Sequence, residues 1–551
     1  MIRQKRLLLL FAWLLFLIGS FQKLRAQEWP PLASKEWIRE HLNPEKPRLI
    51  FTRAAERQLR EKLGSDSLVA ELYAHIKAYA DELLNLPPLT YQKRGRRLLR
   101  VSRDAISRTL ALAMAYRIEG NISYRQRLEA ELANISTFPD WNPAHFLDAA
   151  EMAVAVSLPL DWCGADLSPA VRSLARSALV EKALKPGLGV TEMNWWWDAV
   201  HNWNLVCHGG LAIAALVLFE EEPDLASHTL HRTVTKFPLG FSPYEPDGAY
   251  TEGPSYWFYA TDYLTLAISA FESALGADFG FTNAPGIKES ALFSEIAAGP
   301  SGDYYNYFDA STGGYHSLSH LGLLTWFAPR TGFTAPRQAW KKAIADEAEE
   351  HFKKARFSTL YLLALATQPE GLPEIGRPTA WLARGDSPVG ILSSRDKNGL
   401  YLAAKGGSAS DNHANMDAGS FILEWKRIRW SIDPGNQDYE PLEQTIGVGE
   451  LWNRSQDSER WSLLTKNNYG HSTLTANGEK HLAAARALLT GHNLEAGRPY
   501  FSFGLTPLFG GRVAKAIRTF QQTAENTLQI RDSLALADDV KLITWQWITR
   551  A

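Results

Sequence analysis

The spacing of apolar residues changes at about residue 380, and this change constrains the fold more than any other feature. From residue 37 to residue 367, apolar side chains recur at helical spacing and often cover most faces of the helix. Helices that are apolar on all faces are buried inside a protein. The buried windows are Ile106–Ile118, Phe146–Leu160, Val206–Phe219, Tyr259–Phe271 and Phe357–Ala366.

More charged helices lie between these windows, for example Ala54–Leu63 and Pro169–Ala183. Inner helices that alternate with outer ones indicate hairpins arranged in a ring. The sequence therefore predicts an N-terminal α/α toroid, an incomplete helical barrel, over residues 27–380.

The second part of the chain begins after the Pro- and Gly-rich segment Gly371–Asp386. Short runs of β-forming residues separated by turn residues are typical of an antiparallel β-sandwich. We predict this sandwich over residues 381–551, which makes the chain an α+β protein of two domains. The predicted strands are Val389–Ser393, Leu400–Lys405, Ser420–Trp425, Arg427–Ile432, His471–Ala476 and Lys541–Trp547.

Residues 1–26 have the pattern of a secretory signal peptide, with basic residues, an apolar run over Leu7–Phe21 and then LRAQ. The apolar run is shorter than the ~20 residues that a membrane-spanning helix requires. We therefore predict a secreted or periplasmic protein with no stable membrane span after cleavage.

The composition excludes some classes of protein. The net charge of −2 argues against nucleic acid as a partner. Two cysteines, Cys163 and Cys207, do not form a disulfide framework, although a single bridge and two buried thiols are both open. The apolar helical pattern around Cys207 favours the buried thiol.

Polar residues are crowded between two apolar runs in the segment 405–421, KGGSASDNHANMDAGSF. Asn412, His413, Asn415 and Asp417 lie within six residues. Burying such groups unpaired costs a few kcal/mol each, so they either bond one another or form a site.

Three further polar clusters lie in the helical part. His201, Asn202 and Asn204 stand where an apolar helix begins, a position that favours anions, although one Asn could simply cap the helix. Glu252 and Tyr256 flank the start of another helix, and a Tyr hydroxyl there can act as an acid or base.

The third cluster, FPDWNPAHFLDAAE, places Trp141 and Asn142 where they could line a groove. A fourth arrangement belongs to the β domain, where Asp433 follows one strand and His471 begins another. Together with Asn415 they could bind a divalent metal, although the spacing matches no short motif.

At these residues the chain resembles the heparinase II/III group of polysaccharide lyases and is most similar to heparinase II. The matching segments are RRLLRVSRDAISRTLALAMAYR, FPDWNPAHFLDAAEMA, HNWNLVCHGG, EPDGAYTEGPSYWFYATDY, NHANMDAGSF, RWSIDPGNQDY and NNYGHSTLTANG. The resemblance implies an α/α toroid followed by an antiparallel β-sandwich. It also implies cleavage of acidic polysaccharides by β-elimination next to a uronic acid.

The resemblance assigns roles to individual residues. It implies that His201 or Asn202 neutralises the uronate carboxylate and that Tyr256 and His413 are catalytic. It also implies a structural metal, usually zinc, at Asn415, Asp433 and His471. Close relatives often have His where Asn415 stands, and an amide is a weaker zinc ligand, so the metal could be absent, weakly bound or a harder ion.

The predicted protein is a secreted lyase acting on a heparin- or heparan-sulfate-like polymer, with substrate contacts from Trp141, Asn142, Asn204 and Glu252. A homodimer is compatible with this prediction. Relatives continue further through the β domain than the final TWQWITRA, so we expect an incomplete sandwich.

Two alternatives stay open. The first is a protein that binds acidic glycans without cleaving them. The second is a glycoside hydrolase on an α/α toroid, which needs two carboxylates ~5–9 Å apart. Asp148 and Glu252 are candidates but form no obvious pair, and the Asn, His and Tyr residues would have no role in such an enzyme.

Overall fold

A computed structural model describes residues 34–189, 192–346, 355–396, 398–495 and 497–550. The predicted signal peptide, residues 1–26, lies outside these ranges. The first part of the chain is helical, as follows: α1 Lys35–His41, α2 Arg53–Ser65, α3 Ser67–Leu83, α4 Leu99–Glu119, α5 Ile122–Ser136, α6 Phe146–Cys163, α7 Pro169–Leu179, α8 Lys185–Leu188, α9 Asn202–Leu218, α10 Pro223–Lys236, α11 Pro254–Leu275, α12 Ser290–Ile296, α13 Leu318–Thr331, α14 Arg337–Asp346 and α15 Ser358–Thr367.

The apolar helices form a ring. In succession α4 packs on α6, α6 on α9, α9 on α11, α11 on α13 and α13 on α15. Helix α15 then returns to contact α2, α3 and α4, which closes the ring. Helices that expose polar residues, such as α3, α5 and α7, lie around it. The predicted α/α toroid is therefore confirmed.

Two inner helices, α6 and α9, approach each other backbone to backbone. A Cβ on Gly210 would stand 2.5 Å from the carbonyl oxygen of Ala150, so only glycine fits there. Cys163 and Cys207 are buried free thiols in the same two helices, as the apolar pattern around Cys207 indicates. Burial raises the pKa of both thiols, so both stay protonated at neutral pH.

The second part of the chain is a pair of antiparallel sheets. Its strands are β1 Ala380–Leu382, β2 Val389–Ser393, β3 Tyr401–Lys405, β4 Gly407–Ser408, β5 Phe421–Trp425, β6 Ile428–Ser431, β7 Leu474–Ala476, β8 Arg486–Asn493, β9 Tyr500–Gly504, β10 Val513–Ala524, β11 Thr527–Leu536 and β12 Ile543–Trp545. One sheet has the order β1-β2-β3-β5-β6 and the other β11-β10-β9-β8-β4, and β7 pairs with β12.

Side chains from both sheets share one apolar core, which includes Leu402 and Phe421 from the first sheet and Phe501, Phe503 and Phe520 from the second. This arrangement confirms the predicted β-sandwich. Two short helices, α16 Tyr439–Ile446 and α17 Val448–Trp452, interrupt the strands after β6. The exact domain limits stay a prediction.

The segment 297–317, between α12 and α13, binds the β domain to the toroid. The Asn306 Nδ2 donates to the Asp433 carbonyl oxygen at 3.0 Å, and the Ser301 hydroxyl donates to Glu424 at 2.8 Å. Asp309 belongs to this segment and contacts Tyr439 and Lys466 of the β domain. Within the described residues, no helix is long and apolar enough to cross a bilayer.

Candidate active site

The toroid supplies two helix N-termini to the interdomain cleft. Helix α9 begins at Asn202, and the His201 side chain accepts the backbone N–H of Trp203 at 3.5 Å. Helix α11 begins at Pro254, whose fixed φ suits the first helical position. Gly253 precedes it at φ 91°, a left-handed conformation that favours glycine. This turn directs Tyr256 towards the β domain.

The β domain supplies His413 and Tyr439. The backbone of His413 has φ 57°, which is uncommon for a residue other than glycine and is concentrated at functional sites. Its ring stacks on that of Tyr256, with the centroids 3.9 Å apart and the planes 21° apart. The predicted catalytic residues Tyr256 and His413 are thus brought together from different domains.

A chain of hydrogen bonds joins these side chains. The hydroxyls of Tyr256 and Tyr439 are 2.5 Å apart. The Tyr439 hydroxyl also lies 3.1 Å from the Nδ1 of His413 and 3.1 Å from a carboxylate oxygen of Asp309. Protons can therefore pass between Tyr256, Tyr439 and His413 without water.

Glu252, which precedes helix α11, also contacts this set of side chains. Its carboxylate lies 3.4 Å from the Nε2 of His413 and accepts hydrogen bonds from the Asn412 amide at 2.8 Å and the Asn202 backbone N–H at 3.3 Å. Glu252 is buried, at 1 % exposure. Glu252 therefore contacts residues of both domains, and its predicted contact with the substrate stays a prediction.

The pKa shifts define which groups carry protons. Burial raises the pKa of Tyr256 and Tyr439 well above the ordinary value, and the charge of Asp309 adds to this effect. Burial also raises the pKa of Asp309, but the Lys466 ammonium outweighs it, and the net pKa is lowered. The site therefore holds two neutral phenols beside a permanent carboxylate.

His201 carries no charge at neutral pH. Burial lowers its pKa, and positive charge on Arg454 lowers it further, while Glu252 opposes these effects. Without a bound anion, His201 is therefore neutral, and its predicted role stays a prediction. Asn202 stands at the same position, and its Nδ2 has no hydrogen-bond partner in the ranges that the structure describes.

Three predicted substrate contacts are corrected. Trp141 is fully buried, and its Nε1–H donates to the Ile135 carbonyl oxygen at 3.0 Å. The Asn142 amide donates to Asp148 at 2.6 Å, and the Asn204 amide donates to the Lys236 carbonyl oxygen at 3.0 Å. These side chains satisfy buried polar groups instead of facing a ligand, which their residue types alone did not distinguish.

The predicted metal site is formed in part. Ligand atoms of Asp417, Asp433 and His471 all lie within 4.8 Å of one another, and the three residues are buried. The structure places Asn415 beside Arg460, whose Nη2 is 3.4 Å from the Asn415 Oδ1. Asp417, in place of Asn415, is therefore the third candidate ligand.

The chemistry of this cluster fits a cation. The Nδ1 of His471 is 2.9 Å from an Asp433 oxygen, and the buried Nε2 has no hydrogen-bond partner within the described chain. Because the two ring nitrogens of an imidazole point in opposite directions, a cation shared with Asp433 would bind the Nδ1. The buried Lys405 ammonium, 2.6 Å from Asp417, neutralises part of the negative charge.

A second histidine cluster fits a metal less well. Glu295, His316 and His320 also lie within ligand distance of one another. However, the Nε2 of His320 bonds the Ser294 hydroxyl, and its Nδ1 accepts the backbone N–H of His316, both at 3.2 Å. With both ring nitrogens engaged, His320 has no free lone pair, so this cluster is structural.

Sequence reasoning missed Tyr439 and Asp309. Tyr439 is the last letter of RWSIDPGNQDY, which we matched only for its Asp433. Asp309 is the single carboxylate in the aromatic segment YYNYFDAS. A lone carboxylate among aromatic residues was the feature of the sequence that could have identified it as a site residue.

Comparisons with known proteins agree with this geometry. The family model described as "Heparinase II/III-like, C-terminal" matches residues 388–548. This chain carries a heparinase II/III-like C-terminal domain. The matched residues contain His413, Tyr439 and the three candidate metal ligands, so the resemblance to the heparinase II/III group is confirmed over this part of the chain. The greater similarity to heparinase II stays a prediction. No curated protein sequence matches the chain.

Solved structures also align with this chain. A crystal structure of heparinase III aligns with a TM-score of 0.52 at 12% identity, covering 91% of this chain and 80% of that one. A second heparinase III aligns at 0.50 and 13% identity, covering 92% and 80%. Heparan sulfate lyase HepC from Pedobacter heparinus aligns at 0.50 and 12% identity, covering 91% and 79%. These structures therefore share the fold of most of this chain.

Proposed function

We propose that the protein is a polysaccharide lyase that cleaves an acidic polysaccharide next to a uronic acid by β-elimination. The observation that carries this proposal is the hydrogen-bonded set of Tyr256, Tyr439 and His413 across the interdomain cleft. These groups can accept and donate protons, as an elimination requires. The names of the structural neighbours, heparinase III and heparan sulfate lyase, support the same class of reaction.

The first requirement of this reaction is to stabilise charge on the substrate. The proton at C5 of a uronate is weakly acidic because the neighbouring carboxylate is ionised. The unpartnered Nδ2 of Asn202 can donate to that carboxylate as charge develops on it. A preorganised donor of this kind contributes ~3 kcal/mol to lowering the barrier.

The second requirement is two proton transfers. The Tyr439 oxygen takes the C5 proton while its own proton passes to the Nδ1 of His413, 3.1 Å away. The bond between C4 and its glycosidic oxygen breaks, a C4=C5 double bond forms, and the Tyr256 hydroxyl protonates the leaving oxygen. His413 has then gained one proton and Tyr256 has lost one.

The site resets through the same contacts. The proton on His413 returns through Tyr439 to Tyr256 across the 2.5 Å hydroxyl contact. The Glu252 carboxylate, 3.4 Å from the Nε2 of His413, stabilises the imidazolium meanwhile. The raised pKa of Tyr256 keeps the phenol protonated before each turnover.

The hydrolase alternative has less support in the geometry. Its two candidate carboxylates, Asp148 and Glu252, are 0 % and 1 % exposed. Asp148 accepts from the Leu98 backbone N–H at 2.7 Å and from Asn142. Carboxylates that are occupied in this way do not flank an open glycosidic bond.

We also propose that Asp417, Asp433 and His471 hold a structural divalent cation, with zinc as the first candidate. Such an ion would fix the loop that carries His413. Secretion or export to the periplasm is part of the proposal and rests on residues 1–26. The homodimer stays a prediction.

The test is product formation from a panel of heparin, heparan sulfate, an unsulfated glycosaminoglycan and alginate. A lyase releases unsaturated, ultraviolet-absorbing ends from at least one uronate polymer and none from a neutral polymer. Saturated reducing ends would show the hydrolase instead. Binding to an acidic polymer without any product would show the glycan-binding alternative.

A further inference from the structure

In the described chain, Arg454 is the one arginine beside Asn412 and Glu252. Its guanidinium group has few hydrogen-bond partners. The side chain is half-buried. Its Nη1 donates to the Asn412 Oδ1 at 3.2 Å, and it makes no ion pair within the residues that the structure describes. Burial lowers the pKa of Arg454, but a guanidinium keeps its charge at neutral pH.

The carboxylates nearest to Arg454 are bound by other groups. Asp411 accepts two bonds from Arg486, at 2.9 and 2.5 Å, and one from Ser387 at 2.7 Å. Glu252 is held by Asn412 and by the backbone of Asn202. Neither carboxylate has the free pair of oxygens that a guanidinium fork prefers.

Other arginines around the cleft differ in this respect. Arg97 makes a two-bond pair with Glu443, at 3.1 and 2.6 Å. Arg460 donates to the carbonyl oxygens of Leu451 at 2.6 Å and Ala414 at 2.7 Å. A half-buried charge without such partners costs free energy, which a bound anion would recover.

The position of Arg454 relates it to the reacting groups. Through Asn412 it connects to Glu252, which contacts His413. Its charge also lowers the pKa of His201. The N-terminus of α9 offers no substitute, because the Asn202 and Trp203 N–H groups are already bonded.

We infer that Arg454 is a substrate-binding residue that pairs with an anionic substituent of the sugar, a carboxylate or a sulfate. This inference rests on the proposed function of the same cleft. It gives the site the positive charge that the neutral His201 lacks. Lysine would replace it poorly, because an ammonium does not form the two parallel bonds of a guanidinium.

The test is the affinity for intact polymer, measured by calorimetry in a Tyr256→Phe background. Hyaluronan provides carboxylates alone, and heparan sulfate provides both groups. Adding Arg454→Gln should weaken binding at least ~10-fold, as expected for a charged hydrogen-bonded pair. Arg454→Lys should recover only part of the loss. Arg498→Gln, an exposed charge change elsewhere in the β domain, should leave affinity within twofold.

The two polymers identify the anion. A loss with both polymers assigns a carboxylate, and a loss with heparan sulfate alone assigns a sulfate. Equal affinities of the single and double variants, or no binding of either polymer to any variant, would overturn the inference. If the wild-type protein forms no unsaturated product yet binds a polymer through Arg454, the proposed lyase activity fails while this inference stands.

Discussion

At the scale of single residues, the proposed mechanism depends on the hydroxyls of Tyr256 and Tyr439, which are 2.5 Å apart. Replacing Tyr256 or Tyr439 with Phe removes one proton carrier and keeps the ring that stacks on its neighbours. We expect each change to lower kcat ~10²–10⁴-fold, the range of general acid–base catalysis, with the melting temperature unchanged.

The control for these variants is Tyr469→Phe, which removes a hydroxyl that only binds the Gly478 carbonyl oxygen at the surface. Its activity should match that of the wild type. Full activity in Tyr256→Phe would remove that residue from the mechanism. Full activity in Tyr439→Phe would show that His413 acts without the relay.

His208 provides a prediction about pH. Burial, reinforced by Arg232, lowers its pKa to about 3 from the ordinary 6.5. The unfolded chain therefore binds this proton first, and stability falls as the pH drops below 6.5 towards 3. His208→Gln, which can still donate to the Trp197 carbonyl oxygen, removes this effect.

Between pH 7 and pH 5 the unfolding free energy of the His208→Gln variant should gain ~2 kcal/mol relative to the wild type. The measurement is urea denaturation at both values of pH, in which any constant cost of the substitution cancels. Parallel pH profiles for the two proteins would show that His208 titrates normally.

The sequence predicted which types of residue form the site. It did not predict which of these side chains are buried against other groups. Tyr256, His413 and Asn202 could be predicted because their motifs match a known family. Trp141, Asn142 and Asn204 look equally suited to a ligand, yet each binds a neighbouring backbone or carboxylate. Whether a polar side chain meets a ligand or a buried carbonyl depends on tertiary packing, which local sequence does not encode.

At the scale of secondary structure, the ring depends on close contact between α6 and α9. Gly210→Ala would place a Cβ 2.5 Å from the Ala150 carbonyl oxygen. We expect a loss of ~1–3 kcal/mol, the usual cost of overpacking, seen as a lower melting temperature.

The matched control is Gly64→Ala in α2, where the new Cβ meets nothing within 4 Å. This change should be neutral or stabilise by up to ~1 kcal/mol, because alanine reduces the freedom of the unfolded chain. Equal melting temperatures for Gly210→Ala and Gly64→Ala would contradict the close contact.

The toroid could be predicted from sequence more completely than the sandwich. Its inner helices are apolar on all faces, a pattern with no alternative except a membrane span. Strands β8, β10 and β11 were missed because one face of each is exposed or half-exposed, as in β10, VAKAIRTFQQTA. Charged and polar residues there break the apolar runs that identified β2, β3 and β5.

At the scale of the whole molecule, the β domain is held against the toroid by side chains around the candidate cation site, including Asn306 on Asp433. Removing a bound ion with a chelator should lower the melting temperature, since a ligand of the native state stabilises it by mass action. Asp433→Asn should lose the ion and the chelator effect together.

Elemental analysis of protein purified without added metal checks this prediction. Asp532→Asn, a carboxylate paired with Arg518 in the second sheet, controls for loss of a charge. It should keep one ion per chain. The proposed cation site would be contradicted if wild-type protein contains no ion and if neither a chelator nor added zinc changes its melting temperature.

In the proposed reaction, the site between the two domains breaks a sugar–oxygen bond by elimination and not by adding water. Mass spectrometry of the oligosaccharides released from a uronate polymer by the wild-type protein tests this most directly. We expect products that are lighter than hydrolysis products by one water and that absorb in the ultraviolet. The Tyr256→Phe variant should not form these products. Products that carry the added water, or unsaturated products that persist in Tyr256→Phe, would contradict the proposed mechanism.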